Sequence, residues 1–259
     1  MSGLFIVARC FNFAQLLSIL LILQNLSREK NMNYQEYPII ITGCARSGTS
    51  LTAGIINLCG AFGGAMRKPN VNNKKGMFEN IFITNNIVKP FLRLMYVDPR
   101  GQNPLPNPAV VIEKASSIGE EWRKNVLESI QRERYDGSSQ WFYKGAKACL
   151  IWQVWNSAFP NARWVIVRRK KEDIVKSCLR TSFMIAYNDA EGWGKWVDYH
   201  VDRFEEMKRR LNVREIHSEK IVRGDLNEIK SLVSDFGLTY NEDKIRDFIS
   251  PELWNQERR

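Results

Sequence analysis

Residues 37–42 (YPIIIT) form an unbroken run of apolar and β-branched side chains that ends at Gly43. A strand apolar on both sides is one buried on both sides, as in a parallel sheet. Beyond a short loop, Leu51, Ile55, Ile56 and Cys59 recur at helical spacing and Gly60 supplies a stop, so 49–59 reads as a helix. The pairing recurs at 163–167 (RWVIV), a second buried strand, followed by a helix over 172–183. Between these units, 60–80 is rich in Gly, Asn and Lys and reads as a loop, 80–96 as a helix, and 98–108 (DPRGQNPLPNP) as a loop and candidate lid. A solvated helix is expected over 113–134, a short strand over 140–143, and a helix over 150–158 broken by Phe159-Pro160-Asn161. The pattern then gives a long helix over 192–211, an extended stretch over 215–222, a helix over 227–236 stopped by Gly237, and another over 242–249. Strands alternating with helices predict an α/β domain with a central, mostly parallel sheet flanked by helices in three layers.

Composition changes this picture in two places. Lys and Arg number 38 against 28 Asp and Glu, a formal charge of +10 that favours anionic partners without choosing among them. The excess concentrates in the 67–75 loop and at 168–171. The 67–75 loop suits an anionic acceptor, such as a sulfated or uronic glycan, or simple solvation. The five cysteines (Cys10, Cys44, Cys59, Cys149 and Cys178) share no metal-ligand spacing, and the two histidines, His200 and His217, lie near no cysteine pair. No metal site is expected, and scattered thiols favour the cytoplasm. Trp152, Trp155 and Trp164 read as core; Trp193 and Trp196 read as core or as walls of an acceptor pocket.

Residues 1–31 form a hydrophobic extension apart from the domain expected over 37–254. The apolar stretch 4–26 is interrupted by Arg9, Asn12, Gln15 and Gln24, and its strongest run, 15–23, is shorter than the roughly 20 residues of a membrane span. A signal anchor, an amphipathic docking helix touching a membrane, and an upstream extension before a start at Met32 are the three readings. Positive charge on both sides weakens the anchor reading relative to the other two.

The loop after the first strand reads Gly43-Cys44-Ala45-Arg46-Ser47-Gly48-Thr49-Ser50. It matches a P-loop at Gly43, Gly48 and Ser50, with Thr49 at the lysine position. A strand, this loop and a helix can still aim backbone N–H groups at a phosphate, which makes the expected domain P-loop-NTPase-like. What is lost is the lysine that reaches the outer phosphates of a nucleoside triphosphate; Arg46 offers a cation earlier in the loop. The second strand runs into Arg168-Arg169-Lys170-Lys171, where P-loop kinases place a magnesium-binding aspartate. Arg169 can fork a phosphate, and Ser177 lies two turns into the next helix.

Together these residues carry a resemblance. GCARSGTSL resembles the 5′-phosphosulfate loop of the sulfotransferases that use 3′-phosphoadenosine 5′-phosphosulfate (PAPS), of pattern x-x-[RK]-S-G-T-[TS]-[LW]. FPNARWVIVRRKKEDIVKS resembles their 3′-phosphate segment, roughly 120 residues on. The likeness runs from about Tyr37 to Trp254. It departs from the family at Lys170-Lys171, where Asp or Asn and often Pro are usual, and at Lys144-Gly145-Ala146, where a Lys-Thr-Pro-like element is usual. The cytosolic subfamily's C-terminal glycine- and lysine-rich donor loop is not evident. The stretch Lys75-Gly76-Met77-Phe78-Glu79-Asn80 is closer to bacterial and carbohydrate-type members.

The resemblance implies sulfuryl transfer from PAPS, without a metal, to a hydroxyl or amine of an unidentified acceptor, a glycan or other small molecule. It implies that Arg46, Ser47, Gly48, Thr49 and Ser50 hold the 5′-phosphosulfate and that Arg169 and Ser177 hold the 3′-phosphate. Catalysis would rest on Arg46 and Lys144 as cations and Glu79 as general base. Three rivals stand beside it. A P-loop kinase lacks its lysine and aspartate here. A nucleic-acid-binding protein is prompted by charge, but there is no base-reading helix or aromatic RNA motif, and no nucleic-acid partner is expected. The third is an inactive scaffold of the same fold.

Overall fold

A computed structural model describes residues 33–71 and 73–253. The N-terminal extension and Trp254 lie outside the described residues. Four strands form one sheet in the order β2-β1-β3-β4: β1 (Ile39–Thr42), β2 (Phe142–Lys144), β3 (Arg163–Arg168) and β4 (Val213–His217). Every pairing is parallel.

The apolar strand runs explain the layers. Successive side chains of a strand face opposite ways. Ile40, Trp164 and Ile166 enter one core with the tryptophans of the helices, including Trp152 and Trp155. Ile39, Ile41, Val165 and Val167 enter the other. Helices cover both faces: α1 (Thr49–Leu58), α2 (Lys89–Leu94), α3 (Pro108–Arg132), α4 (Trp152–Ala158), α5 (Lys171–Leu179), α6 (Ala190–Arg210), α7 (Ser218–Val222), α8 (Asn227–Asp235) and α9 (Glu242–Phe248). This is the three-layer α/β architecture that the alternation predicts, and the described sheet is wholly parallel. No described helix is long and apolar enough to cross a membrane.

Several boundaries differ from the periodicity for local reasons. The expected 80–96 helix is a wide π turn over Ile83–Val88 followed by α2. Pro90 has no N–H to donate to the turn before it, so regular α bonding cannot run through. Helix α3 begins at Pro108, earlier than expected, because the Asn107 side chain accepts from Ala109 N at 2.9 Å and proline is favoured in a first turn. The extended stretch 215–222 is the end of β4 and then α7: the Ser218 hydroxyl donates to the carbonyls of Ser47 and Arg168, and the chain turns away from the sheet. The 98–108 segment is tied down at several points. Gln102 is 2% exposed, donates to Phe183 O and accepts from Ile185 N, and Trp196 Nε1 donates to Gly101 O.

Because all strands point one way, the ends of β1, β2 and β3 lie along one edge of the sheet. Ligands of open α/β sheets bind at that carboxyl edge.

Candidate active site

The loop between β1 and α1 lies at this edge. Gly43 approaches its surroundings too closely for a side chain: a Cβ there would sit 2.6 Å from Val167 O and 2.7 Å from Ser47 Oγ. Gly48 takes φ 94°, a left-handed conformation natural to glycine, and caps α1 without any side-chain hydrogen bond. The first N–H groups of a helix have no partner within it and attract anions. Gly48, Thr49 and Ser50 line the adjoining cavity, which has a volume of about 1650 Å³. Ser47 differs from them. Its side chain is buried outside that lining, and its N–H donates to Cys44 O at 3.1 Å.

The two sequence motifs meet here. Arg46 Nε donates to Ser177 Oγ at 3.0 Å, and Arg169 Nη1 donates to Arg46 O at 2.9 Å. All three residues line the cavity. Ser218, donating to Ser47 O at 2.7 Å, fastens the loop to the end of β4. Burial lowers the pKa of Arg46, and the neighbouring Arg180 adds to that, while burial also lowers Arg169. Two partly desolvated guanidiniums at one spot favour an anion between them. Arg168 is committed elsewhere, with Glu215 at 2.6 Å from Nε and Glu205 at 2.6 Å from Nη2.

Farther along the cavity, Lys144 at the end of β2 donates to Glu79 Oε1 at 3.3 Å, and Arg67 Nε lies 3.8 Å from Oε2. Burial pushes the Glu79 carboxyl upward, but Lys147, Lys144 and Arg67 outweigh it and hold the group at about 2. Lys144 is shifted down, by burial first and by the positive charge of Lys147 and Arg46 as well. The carboxylate is thus ionised at any ordinary pH.

Sequence reasoning missed Lys147, Lys89 and Arg180, all of which line the cavity. For Lys147 a signal existed: a lysine inside the apolar run Gly145-Ala146-Lys147-Ala148-Cys149-Leu150 is out of place unless something polar receives it. Of the two doubtful tryptophans, both are buried and Trp196 also lines the cavity. Among the described residues, no group of three or more His, Cys, Asp and Glu is placed to hold a metal ion.

An α/β domain whose P-loop-like turn has Thr49 at the lysine position and Arg46 earlier in the loop, facing Arg169 and Ser177, belongs to the class of α/β folds that bind anions at the carboxyl edge of the sheet. Comparison with known proteins gives the family. Residues 38–242 match the model described as "Sulfotransferase family", and the chain belongs to that family. Among solved structures it is similar to the sulfotransferase STF9 from Mycobacterium avium, with 14% identity and a TM-score of 0.52 over 92% of this chain and 73% of that one. It is also similar to STF1 from Mycobacterium tuberculosis H37Rv, with 14% identity and a TM-score of 0.46 over 82% of this chain and 70% of that one. The likeness to STF9 supports the fold. No curated protein matches the chain.

Proposed function

We propose that this sulfotransferase takes its sulfuryl group from PAPS and passes it, without a metal, to a hydroxyl or amine of a small-molecule or carbohydrate acceptor. The observation that carries this reading is the junction of Arg46, Ser177 and Arg169, which joins loops far apart in sequence around one end of the cavity. Arg169 and Ser177 hold the 3′-phosphate. Arg46 and the N–H groups at the start of α1 hold the 5′-phosphosulfate.

In the reaction, the acceptor oxygen or nitrogen forms a bond to sulfur on the side opposite the phosphate. The sulfur–oxygen bond to the phosphate breaks, its electron pair leaves with 3′-phosphoadenosine 5′-phosphate (PAP), and the acceptor proton passes to Glu79. Arg46 and Lys144 stabilise the charge that grows on the departing phosphate. A carboxylate with a pKa of about 2 is a weak base but is always ready to accept. It takes the proton late, once the forming bond to sulfur has made the acceptor acidic. The described cysteines are free buried thiols, which supports a reducing compartment, the cytoplasm.

The test is a calorimetric titration with PAP in the presence of a chelator, beside Arg169→Ala. Binding without magnesium is expected, weakened at least about thirtyfold in the variant, the loss for removing one partner of a buried charge pair. A folded protein that ignores PAP would remove the donor reading and favour the kinase or scaffold alternatives.

A further inference from the structure

The far half of the cavity holds more positive charge than its own acid balances. Among the described residues Glu79 is the only carboxylate in the lining, while Arg67, Lys89, Lys144 and Lys147 all share that lining. Lys144 and Arg67 reach Glu79. Lys89 Nζ instead donates to Asn85 Oδ1 at 3.0 Å, and Arg67 Nη2 donates to the same oxygen at 2.8 Å. Two cations therefore converge on one neutral amide oxygen, which supplies a dipole and no charge. Asn85 lies within the π turn, a distortion frequent at functional sites, and Lys89 begins the helix that follows.

Lys147 is the third member. It is 8% exposed and makes no ion pair or hydrogen bond among the described residues. Its stem is pressed against Gly101, where a Cβ would come within 2.9 Å of Lys147 Cγ. The tied-down 98–108 segment thus fixes this lysine at the cavity wall. The only acid it feels among the described residues is Glu79, which Lys144 and Arg67 contact directly, and a buried lysine with so small a share of counter-charge is costly unless a ligand supplies more. The repulsion is felt within the cluster: burial, then Arg67 and Lys147, lower the pKa of Lys89.

We propose that the acceptor carries an anionic group of its own (a carboxylate, phosphate or sulfate ester) beside the hydroxyl or amine that is sulfated, and that Lys147, Lys89 and Arg67 bind it. The proposal rests on the donor reading above, since Arg46 and Arg169 are then occupied by the nucleotide and these three cations are left for the acceptor. The anion would seat the acceptor with its reacting group toward Glu79. A neutral analogue would leave the cations uncompensated, and the site would reject it.

The test uses the whole protein saturated with PAP and titrated with inorganic phosphate at low ionic strength, beside Lys147→Met and Lys89→Met. One phosphate site is expected, weakened at least about tenfold in each variant, as for the loss of a charge-assisted hydrogen bond, with PAP affinity unchanged. Absence of phosphate binding overturns the proposal. So does phosphate binding that both variants leave intact, which places the ion at the vacated sulfuryl position. A parallel loss of PAP affinity overturns it too, because the cations would then serve the donor. If PAP binds none of the three proteins, the donor reading fails by itself, and phosphate titrated without nucleotide is judged by the same variant dependence.

Discussion

The two halves of the cavity are built in opposite ways. The Arg46 end is made by regular elements: a glycine loop between β1 and α1, the end of β3, and the second turn of α5. Its residues bond to one another, with Arg46 on Ser177 and Arg169 on the Arg46 carbonyl, so the protein's own contacts set its geometry. The Glu79 end is assembled from irregular pieces: the 65–80 loop, the π turn, and the 3-10 turn Ala146–Ile151 beyond β2. Its charges are side-chain charges in excess, held apart on Glu79 and Asn85. A preformed site suits one invariant ligand, and an unbalanced one suits a ligand that brings the missing charge. On the function proposed above, the first half would serve the common donor and the second a particular acceptor.

The largest effect expected from this division is on turnover alone. Glu79→Gln removes the proposed proton acceptor and keeps the shape, so kcat should fall on the order of 10³-fold, within the usual range for a general base, with PAP affinity unchanged. A variant that turns over normally excludes Glu79 as the base, and one that loses PAP as well erases the boundary between the halves. Lys144→Met sharpens the result. Glu79 is held at about 2 against burial partly by Lys144, so without that cation its pKa rises. Activity that needs the ionised carboxylate is lost as pH falls through that pKa, and the acid limb of kcat/KM should move to higher pH than in the wild type. An unmoved limb would mean that Glu79 does not set it.

Arg46→Ala comes next, with a fall of about 10²-fold in kcat, as for removal of one preorganised donor to developing charge. It should also weaken PAP, since Arg46 belongs to the donor half. Rapid-quench and binding measurements on one preparation separate the two. A fall in kcat with PAP affinity intact would move Arg46 from donor holding to chemistry alone.

The same division explains what could be read from the chain. β1, β3 and the loop behind them were legible because each is set by its own residues: β-branched runs for strands buried on both faces, and glycines where the backbone turns left-handed or packs too closely for a Cβ. Arg46, Arg169 and Ser177 were legible because their spacing from those elements fixes where they point. Lys89 and Lys147 were not, since their partners come from segments far away along the chain. The π turn was hidden because Pro90 alters the bonding of the turn before it while leaving the apolar spacing of 80–96 intact. Ser218 was hidden as well: a lone serine at a strand end gives no sign that its hydroxyl will bridge two carbonyls and end the strand.

The smallest effect concerns stability on the acceptor side. His200 on α6 lines the cavity, is 1% exposed, and has Nδ1 2.8 Å from Trp196 O. Burial lowers its pKa to about 4, and the bond to the Trp196 carbonyl only partly opposes this. The unfolded chain takes up this proton near pH 6.5, whereas the folded protein refuses it until about 4. The contribution of the neutral ring is therefore complete above 6.5 and is lost as pH falls from 6.5 to 4, amounting to about 2 kcal/mol by pH 5. Glu79 acts lower, because its stabilisation is complete above 4.5 and is lost as pH falls towards 2. The two groups thus leave separate marks on one curve. Urea unfolding of wild type and His200→Gln at pH 7 and pH 5 reads the first mark. The wild type should lose more stability than the variant over that interval, by about 2 kcal/mol. Equal losses would mean that the ring is protonated in the folded protein, and the acceptor wall would then carry one more cation.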